Sequence, residues 1–160
     1  MEDLRSRVAP FDGVPPLGLA RLVELGQIRR FAFGKHLTVQ GETADMMYVI
    51  AKGRVSVERS HPEFTAPVLL GELGPGAIVG PEGLLDGESH SATVTALEDT
   101  DAIEFTGLVL SVTILKFPKV ATSLLRTLSR RLRTTDALAE AVLLRHARPK
   151  SPNNEQVARP

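Results

Sequence analysis

The chain from Ile28 to Phe105 consists of short apolar and β-branched runs separated by Gly, Pro and Asp. The runs recur at intervals of roughly eight to twelve residues, which is typical of an all-β sandwich or barrel. We predict eight strands, at residues 28–33, 36–39, 46–51, 54–58, 66–73, 77–80, 91–97 and 101–105. Breaks fall at Gly34, Gly41, Gly53, 61–62, 74–76 and 98–99. The central part of the chain is therefore predicted to be mainly β.

Helical patterns flank this β region. Residues 16–26 place several leucines and a valine in one short stretch that ends in glycine, which predicts a short amphipathic helix. A second helix is predicted over residues 107–117, and Pro118 separates it from the next helix. The last helix is long, from Lys119 to about His146, with apolar residues at intervals of about three to four.

The length of 160 residues, or 17.3 kDa, suits one domain. We predict this domain over residues 14–147, with the β region at about 28–106 and the C-terminal helices at about 107–147. Residues 1–13 form a separate N-terminal segment. Residues 148–160 hold three prolines and few apolar groups, which predicts a disordered tail.

The composition excludes several classes of protein. The chain has no cysteine, which excludes disulfides, a thiolate nucleophile and Cys-ligated metal. Lys+Arg and Asp+Glu both number 19, whereas a dedicated nucleic-acid binder usually has a strong basic excess. No long apolar run and no signal-peptide pattern are present. We therefore expect a cytoplasmic domain with no membrane partner.

The charges are unevenly distributed along the chain. Residues 116–150 contain nine Lys/Arg and two Asp/Glu, whereas residues 1–115 contain nine Lys/Arg and sixteen Asp/Glu. A basic C-terminal segment indicates either an anionic partner or a solvated helix face. We favour the solvated face.

The long helix is longer than a body of this size can cover, at about 28 residues or ~42 Å. Part of its apolar stripe is expected to pack on the β region. The distal positions Leu132, Leu138 and Val142 then need a second surface, most simply the same helix of a second copy. The pattern favours a homodimer through the C-terminal helix.

Residues 80–94 are the candidate for chemistry. This segment follows a short strand, has glycines at 80, 83 and 87, and leads into another strand at Ser91. Such a segment can form one helical turn whose backbone N–H groups point at an anion. Taken alone, a glycine-rich connection between strands is more often only a turn.

The succession of segments 37–57, 70–87 and 91–105 resembles the cyclic-nucleotide-binding domain of catabolite activators and protein kinase A regulatory subunits. The resemblance spans roughly residues 14–140. It rests on residues that match the family pattern around the third strand, at the turns, and in the strand that follows the glycine-rich segment. These residues are Gly41, Asp45, Tyr48, Gly53, Gly74, Gly76 and Ser91–Ala96. It implies a jelly-roll-like, double-stranded β-roll with a short N-terminal helix and a long C-terminal helix.

The resemblance also implies where a ligand would bind. In the family the cyclic phosphate lies on the start of a short cassette helix, an arginine before the exit strand pairs with the phosphate, and a glutamate near the cassette start binds the ribose hydroxyl. The corresponding ligand-binding residues here are Gly80, Glu82, Gly83, Leu84, Leu85, His90, Ser91 and Ala92. The implied ligand is cAMP or cGMP, and no metal or other cofactor is implied.

Two positions depart from that pattern. Pro81 occupies the glutamate position with Glu82 one residue later, and His90 occupies the arginine position. One residue along a helix turns a side chain by about 100°, so Glu82 replaces the missing carboxylate only if Pro81 introduces a bulge. An imidazole lacks the permanently charged fork of arginine. We therefore predict weak or absent binding of cAMP and cGMP.

His90 has three interpretations: a partly protonated phosphate contact, a contact for another anion, or a surface histidine of a pocket that no longer binds. We favour the last. The sequence offers little support for an enzyme. The four histidines lack the spacing of a cupin metal site, and no nucleophile or P-loop motif is present. We expect no enzymatic activity.

The sequence leaves three hypotheses about function. The first is a stand-alone regulatory domain that acts by dimerisation and contacts with a regulated protein, or through an altered ligand. The second is a working cAMP sensor that uses backbone N–H groups and His90. The third is the sensing half of a transcription regulator, although the few residues after the long helix leave no room for a DNA-binding module in this chain.

Overall fold

The computed structural model describes residues 24–146. The elements in chain order are β1 (Gln27–Phe31), β2 (His36–Thr38), β3 (Met46–Lys52), β4 (Val55–Arg59), β5 (Val68–Leu73), β6 (Ile78–Val79), α1 (Pro81–Asp86), β7 (Thr93–Ala96), β8 (Thr100–Thr106), α2 (Gly107–Lys116) and α3 (Pro118–His146). The chain divides into two compact units, one ending at Leu125 and one beginning at Arg126. Each unit is described by itself.

The predicted fold class is confirmed, because the strands form antiparallel sheets followed by C-terminal helices. All eight predicted strands are present, with ends that differ by a few residues. Of the helix predicted at 16–26, Glu24 and Leu25 are helical, and the rest lies outside the described residues. The predicted segments 1–13 and 148–160 also lie outside the described residues.

Two four-stranded antiparallel sheets form the roll. One has the strand order β1-β8-β3-β6 and the other β2-β7-β4-β5. Their facing surfaces enclose an inner apolar cluster, to which both sheets contribute: Leu37, Tyr48, Ile50, Val55, Val79, Val94, Ala96 and Ala102. Burial of this cluster from both sides is the main stabilisation expected for a sandwich of two sheets.

The outer face of the first sheet is covered by helices. Alternate residues of a strand point to opposite faces, so Met47 and Val49 face outward where Tyr48 and Ile50 face the inner cluster. The outer cluster joins sheet residues to α2 and the start of α3: Met47, Val49, Ile78, Ile103, Phe105, Leu110, Val120 and Leu124. The β8–α2 junction is capped by Thr106, whose side chain accepts a hydrogen bond from Val109 N–H at 3.2 Å.

The helix α3 begins at Pro118, where proline is well suited because the first helical residue needs no hydrogen-bonded N–H. The helix has 29 residues, which corresponds to about 44 Å. Residues after Leu125 belong to the second unit. Among the described residues no single helix is long and apolar enough to cross a membrane, although α2 and residues 118–137 pass that test together across a 116° bend.

The strand β5 lies at the edge of the second sheet, paired only with β4. Its residues Val68, Leu69 and Leu70 are exposed. The pairing register shifts between Val57 and Glu58, so that Leu70 has no partner in the ladder. This irregularity is a β-bulge, a feature common at sheet edges.

Candidate ligand-binding site

The cassette helix α1 begins at a glycine that adopts a backbone conformation other residues avoid. Gly80 has φ 68° and ψ 27°, and no side chain caps the helix there. Pro81 follows as the first helical residue and is less than 2% exposed. At the other end Gly87 has φ 78°, and its N–H donates to Gly83 O at 3.0 Å. The two left-handed glycines therefore limit α1 to six residues.

Gly83 brings α1 close to the loop between β2 and β3. A Cβ at this position would overlap the Cβ of Ala44 and lie 2.7 Å from Glu88 O. Both Gly83 and Ala44 are buried. The close packing of the cassette on residues 41–45 therefore requires a glycine here.

His90 is fixed by the same loop. Gly41 N–H donates to His90 O at 2.9 Å, and His90 N–H donates to Glu42 O at 2.9 Å. The imidazole lies over Gly80, since a Cβ at Gly80 would be 3.0 Å from His90 Cε1 and 3.3 Å from Nδ1. The fold thus brings the start of α1 and the predicted phosphate contact together, although they are ten residues apart.

The other predicted site residues occupy different surroundings. Glu82 is half-buried at the second position of α1, and Leu84 packs against the outer cluster rather than toward His90. Leu85 and Ser91 are exposed. Ala92 is half-buried, and its carbonyl accepts a hydrogen bond from Thr38 Oγ1 at 3.2 Å. Gly80 and His90 are therefore in contact, whereas Leu84 belongs to the core.

Sequence reasoning missed a buried carboxylate on the inner face of the roll. Glu104 is only 8% exposed and accepts from Arg29 Nε, with both of its oxygens at 3.1 Å. It lies opposite Tyr48 in the β3–β8 ladder, and the two side chains are hydrogen-bonded. Burial, followed by the charge of Glu104 and this hydrogen bond, raises the pKa of Tyr48 to about 12. The alternation of apolar and polar residues in Ile103-Glu104-Phe105 was the sequence signal for this burial. Ile103 and Phe105 face the helices, so Glu104 between them faces the inside of the roll.

Tyr48 connects this carboxylate to the strand that leads into the cassette. Its ladder partner on the other side is Val79, which immediately precedes Gly80. The ring of Phe31 packs edge-on against Tyr48 with centroids 5.6 Å apart. Tyr48 lies on the inner wall of the roll. Within residues 24–146, no group of three or more His, Asp or Glu side chains is placed to hold a metal ion.

A roll of two antiparallel sheets, a short helix bounded by two glycines, and helices on the outer face of one sheet together define the class of fold. Residues 28–110 match the family model of the cyclic nucleotide-binding domain. The chain belongs to this family, and the family predicted from the sequence is confirmed.

Relatives with this domain include bacterial regulators. The chain is 29% identical over 136 residues to the CRP-like cAMP-activated global transcriptional regulator of Mycobacterium tuberculosis, covering 85% of this chain and 60% of the relative. It is 32% identical over 141 residues to the cyclic AMP receptor protein of Thermus thermophilus, covering 86% and 63%. The crystal structure of the Thermus thermophilus catabolite activator protein superimposes with a TM-score of 0.78 at 30% identity, covering 84% of this chain and 62% of that chain. The chain thus spans about three-fifths of the length of these relatives.

Proposed function

We propose that this chain is a non-enzymatic, cytoplasmic regulatory domain whose affinity for cAMP and cGMP is weak or lost. It acts by dimerisation and contacts with a regulated protein, or through an altered ligand. The observation that carries the proposal is the buried Pro81 at the first position of α1. A proline there supplies neither the carboxylate that the family pattern has at this position nor a backbone N–H.

The geometry of α1 supports the loss of the ribose contact. The helix begins at Pro81 itself and continues without interruption to Asp86, so no inserted residue returns Glu82 to the glutamate position. The side chain of Glu82 is turned by about 100° from that of Pro81. The first turn also offers an anion one N–H donor fewer than a helix without proline.

The exit of the cassette supports a weakened phosphate contact. His90 occupies the position at which the family pattern has an arginine, and its imidazole lies over Gly80. An imidazole lacks a permanent charge and donates one hydrogen bond from a given nitrogen, whereas a guanidinium is permanently charged and donates two in parallel. Loss of a charge-assisted hydrogen bond costs about 1.5–3 kcal/mol, which is more than tenfold in affinity.

Calorimetric titration with cAMP and cGMP at pH 7 tests this function. We expect no binding, or binding weaker than micromolar, for the natural chain. Pro81→Glu with His90→Arg is expected to tighten cAMP binding more than tenfold. Because Pro81 is buried, His90→Arg alone is also measured, and circular dichroism checks that each variant is folded.

A matched control changes the same residue types on the exposed turn at His61 and Pro62. His61→Arg with Pro62→Glu alters the charge as the cassette variant does, and it is expected to leave cAMP affinity unchanged. Micromolar or tighter cAMP binding by the natural chain would overturn the proposal.

A working cAMP sensor is the second candidate, and the position of His90 is the observation in its favour. The imidazole lies at the start of α1, where a protonated ring would place a charged donor beside an anion. This candidate predicts tighter binding near pH 6 than near pH 8. An affinity that does not change with pH would exclude a protonated His90 contact, and the absence of cyclic-nucleotide binding would exclude the sensor.

Dimerisation through α3 is supported by the length of the helix and by Leu132, which is exposed within the second unit. Sedimentation at micromolar concentration is expected to give a dimer, and Leu132→Asp is expected to give a monomer. Leu69→Asp, at an exposed leucine of β5, is the control and is expected to remain dimeric. A monomeric natural chain would contradict this part of the proposal.

The named relatives support a role as the sensing part of a transcription regulator, because one of them is described as a cAMP-activated transcriptional regulator. The reading frame downstream of Pro160 tests this role. A continuous frame that encodes a DNA-binding domain would favour it, and a stop codon at that point would favour the stand-alone domain.

A further inference from the structure

The loop that follows β2 lies along residues 89–93, by which the chain leaves the cassette. Gln40 N–H donates to Thr93 Oγ1 at 3.0 Å, and Thr43 forms a β-bridge with Ser89. Both Gln40 and Thr93 are half-buried. The exit of the cassette is therefore held by a short segment of the connection between β2 and β3.

The side chain of Gln40 joins this loop to a third segment of the chain. Its Nε2 donates to Ser60 O at 3.0 Å, and its Oε1 accepts from Ser60 N–H at 2.7 Å. The amide thus pairs with both backbone groups of one residue, as a neighbouring strand would. Ser60 is exposed and directly follows the last residue of β4. Gln40 therefore anchors the loop to the end of β4.

The two residues after Gln40 connect this anchor to His90. Gly41 N–H donates to His90 O, and His90 N–H donates to Glu42 O, both at 2.9 Å. The chain turns at Gly41, which has φ 85°. Since Gln40 and Gly41 share one peptide bond, the same short segment is fixed to β4 on one side and to His90 on the other. The position of the imidazole therefore depends on where this segment lies.

We propose that Gln40 is a positioning residue for the ligand site, because it holds the imidazole of His90 over Gly80. Gln40 touches no ligand in this role and acts through the backbone of residues 41–42. A side chain without the amide leaves the segment with its backbone contacts alone. The inference rests on the proposed function in that His90 belongs to the ligand site, but its test uses no nucleotide.

Nuclear Overhauser spectroscopy of the isotope-labelled full chain tests the proposal. His90 Cε1 lies close to Gly80, so a cross-peak is expected between the Hε1 proton of His90 and an α-proton of Gly80. Gln40→Ala removes both hydrogen bonds to Ser60, and the cross-peak is expected to lose most of its intensity. Hydrogen exchange of the His90 amide is expected to become roughly tenfold faster.

The variant Gln40→Glu allows a rescue within one folded chain. Its carboxylate accepts from Ser60 N–H but has no proton for Ser60 O, whereas the protonated carboxylic acid restores both hydrogen bonds. The cross-peak is therefore expected to be weak at pH 7 and to recover toward that of the natural chain as the pH falls to about 4. Gln40→Ala is expected to show no recovery. This comparison decides the proposal even if Gln40→Ala does not fold.

Two controls separate positioning by Gln40 from a general loss of stability. Gln27→Ala makes the same substitution at an exposed glutamine of β1, and Asp99→Ala removes a side-chain bond to the backbone of Phe33. Both are expected to keep the cross-peak and the exchange rate of His90.

The proposal is overturned if the natural chain lacks the cross-peak, if Gln40→Ala keeps it, or if Gln40→Glu does not recover it. A control that loses the cross-peak as completely as Gln40→Ala would also overturn the proposal. Tight cAMP binding by the natural chain would overturn the proposed function instead, and it would leave these outcomes unchanged.

Discussion

The two ends of the roll are built from different elements, with short turns at one end and a helix with a loop at the other. The hairpin end comprises the turns at residues 32–35, 53–54 and 97–100, and the cassette end comprises residues 40–45 and 80–92. At the hairpin end, side chains bond to the backbone: Thr100 Oγ1 donates to Glu98 O at 2.8 Å, and Asp99 Oδ1 accepts from Phe33 N–H at 3.1 Å. Backbone groups also pair at this end, since Gly34 N–H donates to Ala96 O and Leu97 N–H donates to Arg54 O, both at 2.8 Å.

The cassette end likewise combines side-chain bonds with backbone pairs: Gln40 N–H donates to Thr93 Oγ1 at 3.0 Å, and Ser60 N–H donates to Gln40 Oε1 at 2.7 Å. Gly41 and Glu42 pair with the main chain of His90, and Thr43 forms a bridge with Ser89. Gly83 approaches Ala44 with no room for a side chain. The two ends therefore share the same kinds of hydrogen bond and differ in what their tightest glycine meets. A Cβ at Gly53 would meet the backbone of Asp99 and Thr100, whereas a Cβ at Gly83 would meet the Cβ of Ala44 and the backbone of Glu88.

The largest effect is expected where the hairpin end is tightest. Gly53 has φ 91°, and a Cβ there would lie 2.8 Å from Thr100 Cα and 2.9 Å from Asp99 O. Gly53→Ala is expected to destabilise the fold by about 3 kcal/mol or more, since it adds overlap to left-handed strain. Urea unfolding measures the change.

Gly34→Ala is the control for Gly53→Ala. Gly34 also has a positive φ, 78°, but nothing lies within 4 Å of its added Cβ. Only the strain remains, so a loss of about 1–2 kcal/mol is expected. Equal losses at the two glycines would contradict the tight packing of the hairpin end.

The next largest effect on stability is expected at Glu104, on the inner face of the roll. Glu104→Gln removes a buried charge that accepts from Arg29 and Tyr48, and a loss of about 2 kcal/mol is expected. Because Tyr48 is the single tyrosine, ultraviolet titration reports its ionisation alone. The pKa of about 12 is expected to fall part of the way toward 10 in the variant, since burial remains.

The sign of the pH dependence follows from this pKa. The folded-state pKa of Tyr48 is raised above its usual value of 10, so its contribution to stability is complete below pH 10 and is lost as the pH rises toward 12. Unfolding measured across this range is expected to show a steeper decline for the natural chain than for Glu104→Gln. A tyrosine that titrates near 10 in the folded protein would contradict the buried contact.

A smaller effect is expected at the cassette end. Gly83→Ala adds a Cβ that overlaps Ala44, and the higher helix propensity of alanine offsets part of the cost. The net loss is expected to be about 2 kcal/mol, less than at Gly53 because no left-handed strain is added. Ala44→Gly in the same chain is expected to restore part of the stability, and absence of this coupling in a double-mutant cycle would argue against the close approach.

The smallest effect is expected for the ion pairs of the hairpin end. Arg54 lies 3.3 Å from Glu72 and 3.7 Å from Glu98, and all three side chains are largely exposed. Arg54→Ala is expected to cost less than about 1 kcal/mol, because exposed pairs contribute little. Thermal unfolding measures the change. A cost as large as that of Glu104→Gln would contradict the expectation that the exposed ion pairs contribute less to stability than the buried one.

The roll and its hairpin end were largely predictable from sequence, because both depend on local signals. Glycines at positions 34 and 53 mark turns, and alternation along Met46–Ile50 assigns residues to two faces. The contacts of the cassette end were not predictable. His90 over Gly80, and Gly83 against Ala44, are set by how the chain folds back on itself, which neither spacing nor periodicity encodes.

The bulged edge strand β5 has a consequence for the behaviour of the protein in concentrated solution. One side of this strand offers unpaired amide and carbonyl groups, and its leucines offer an apolar template, so another extended chain can add to it. The interruption at Leu70 shortens the regular ladder available for such growth. The same defect that distorts the sheet therefore protects the protein from polymerising through its open side.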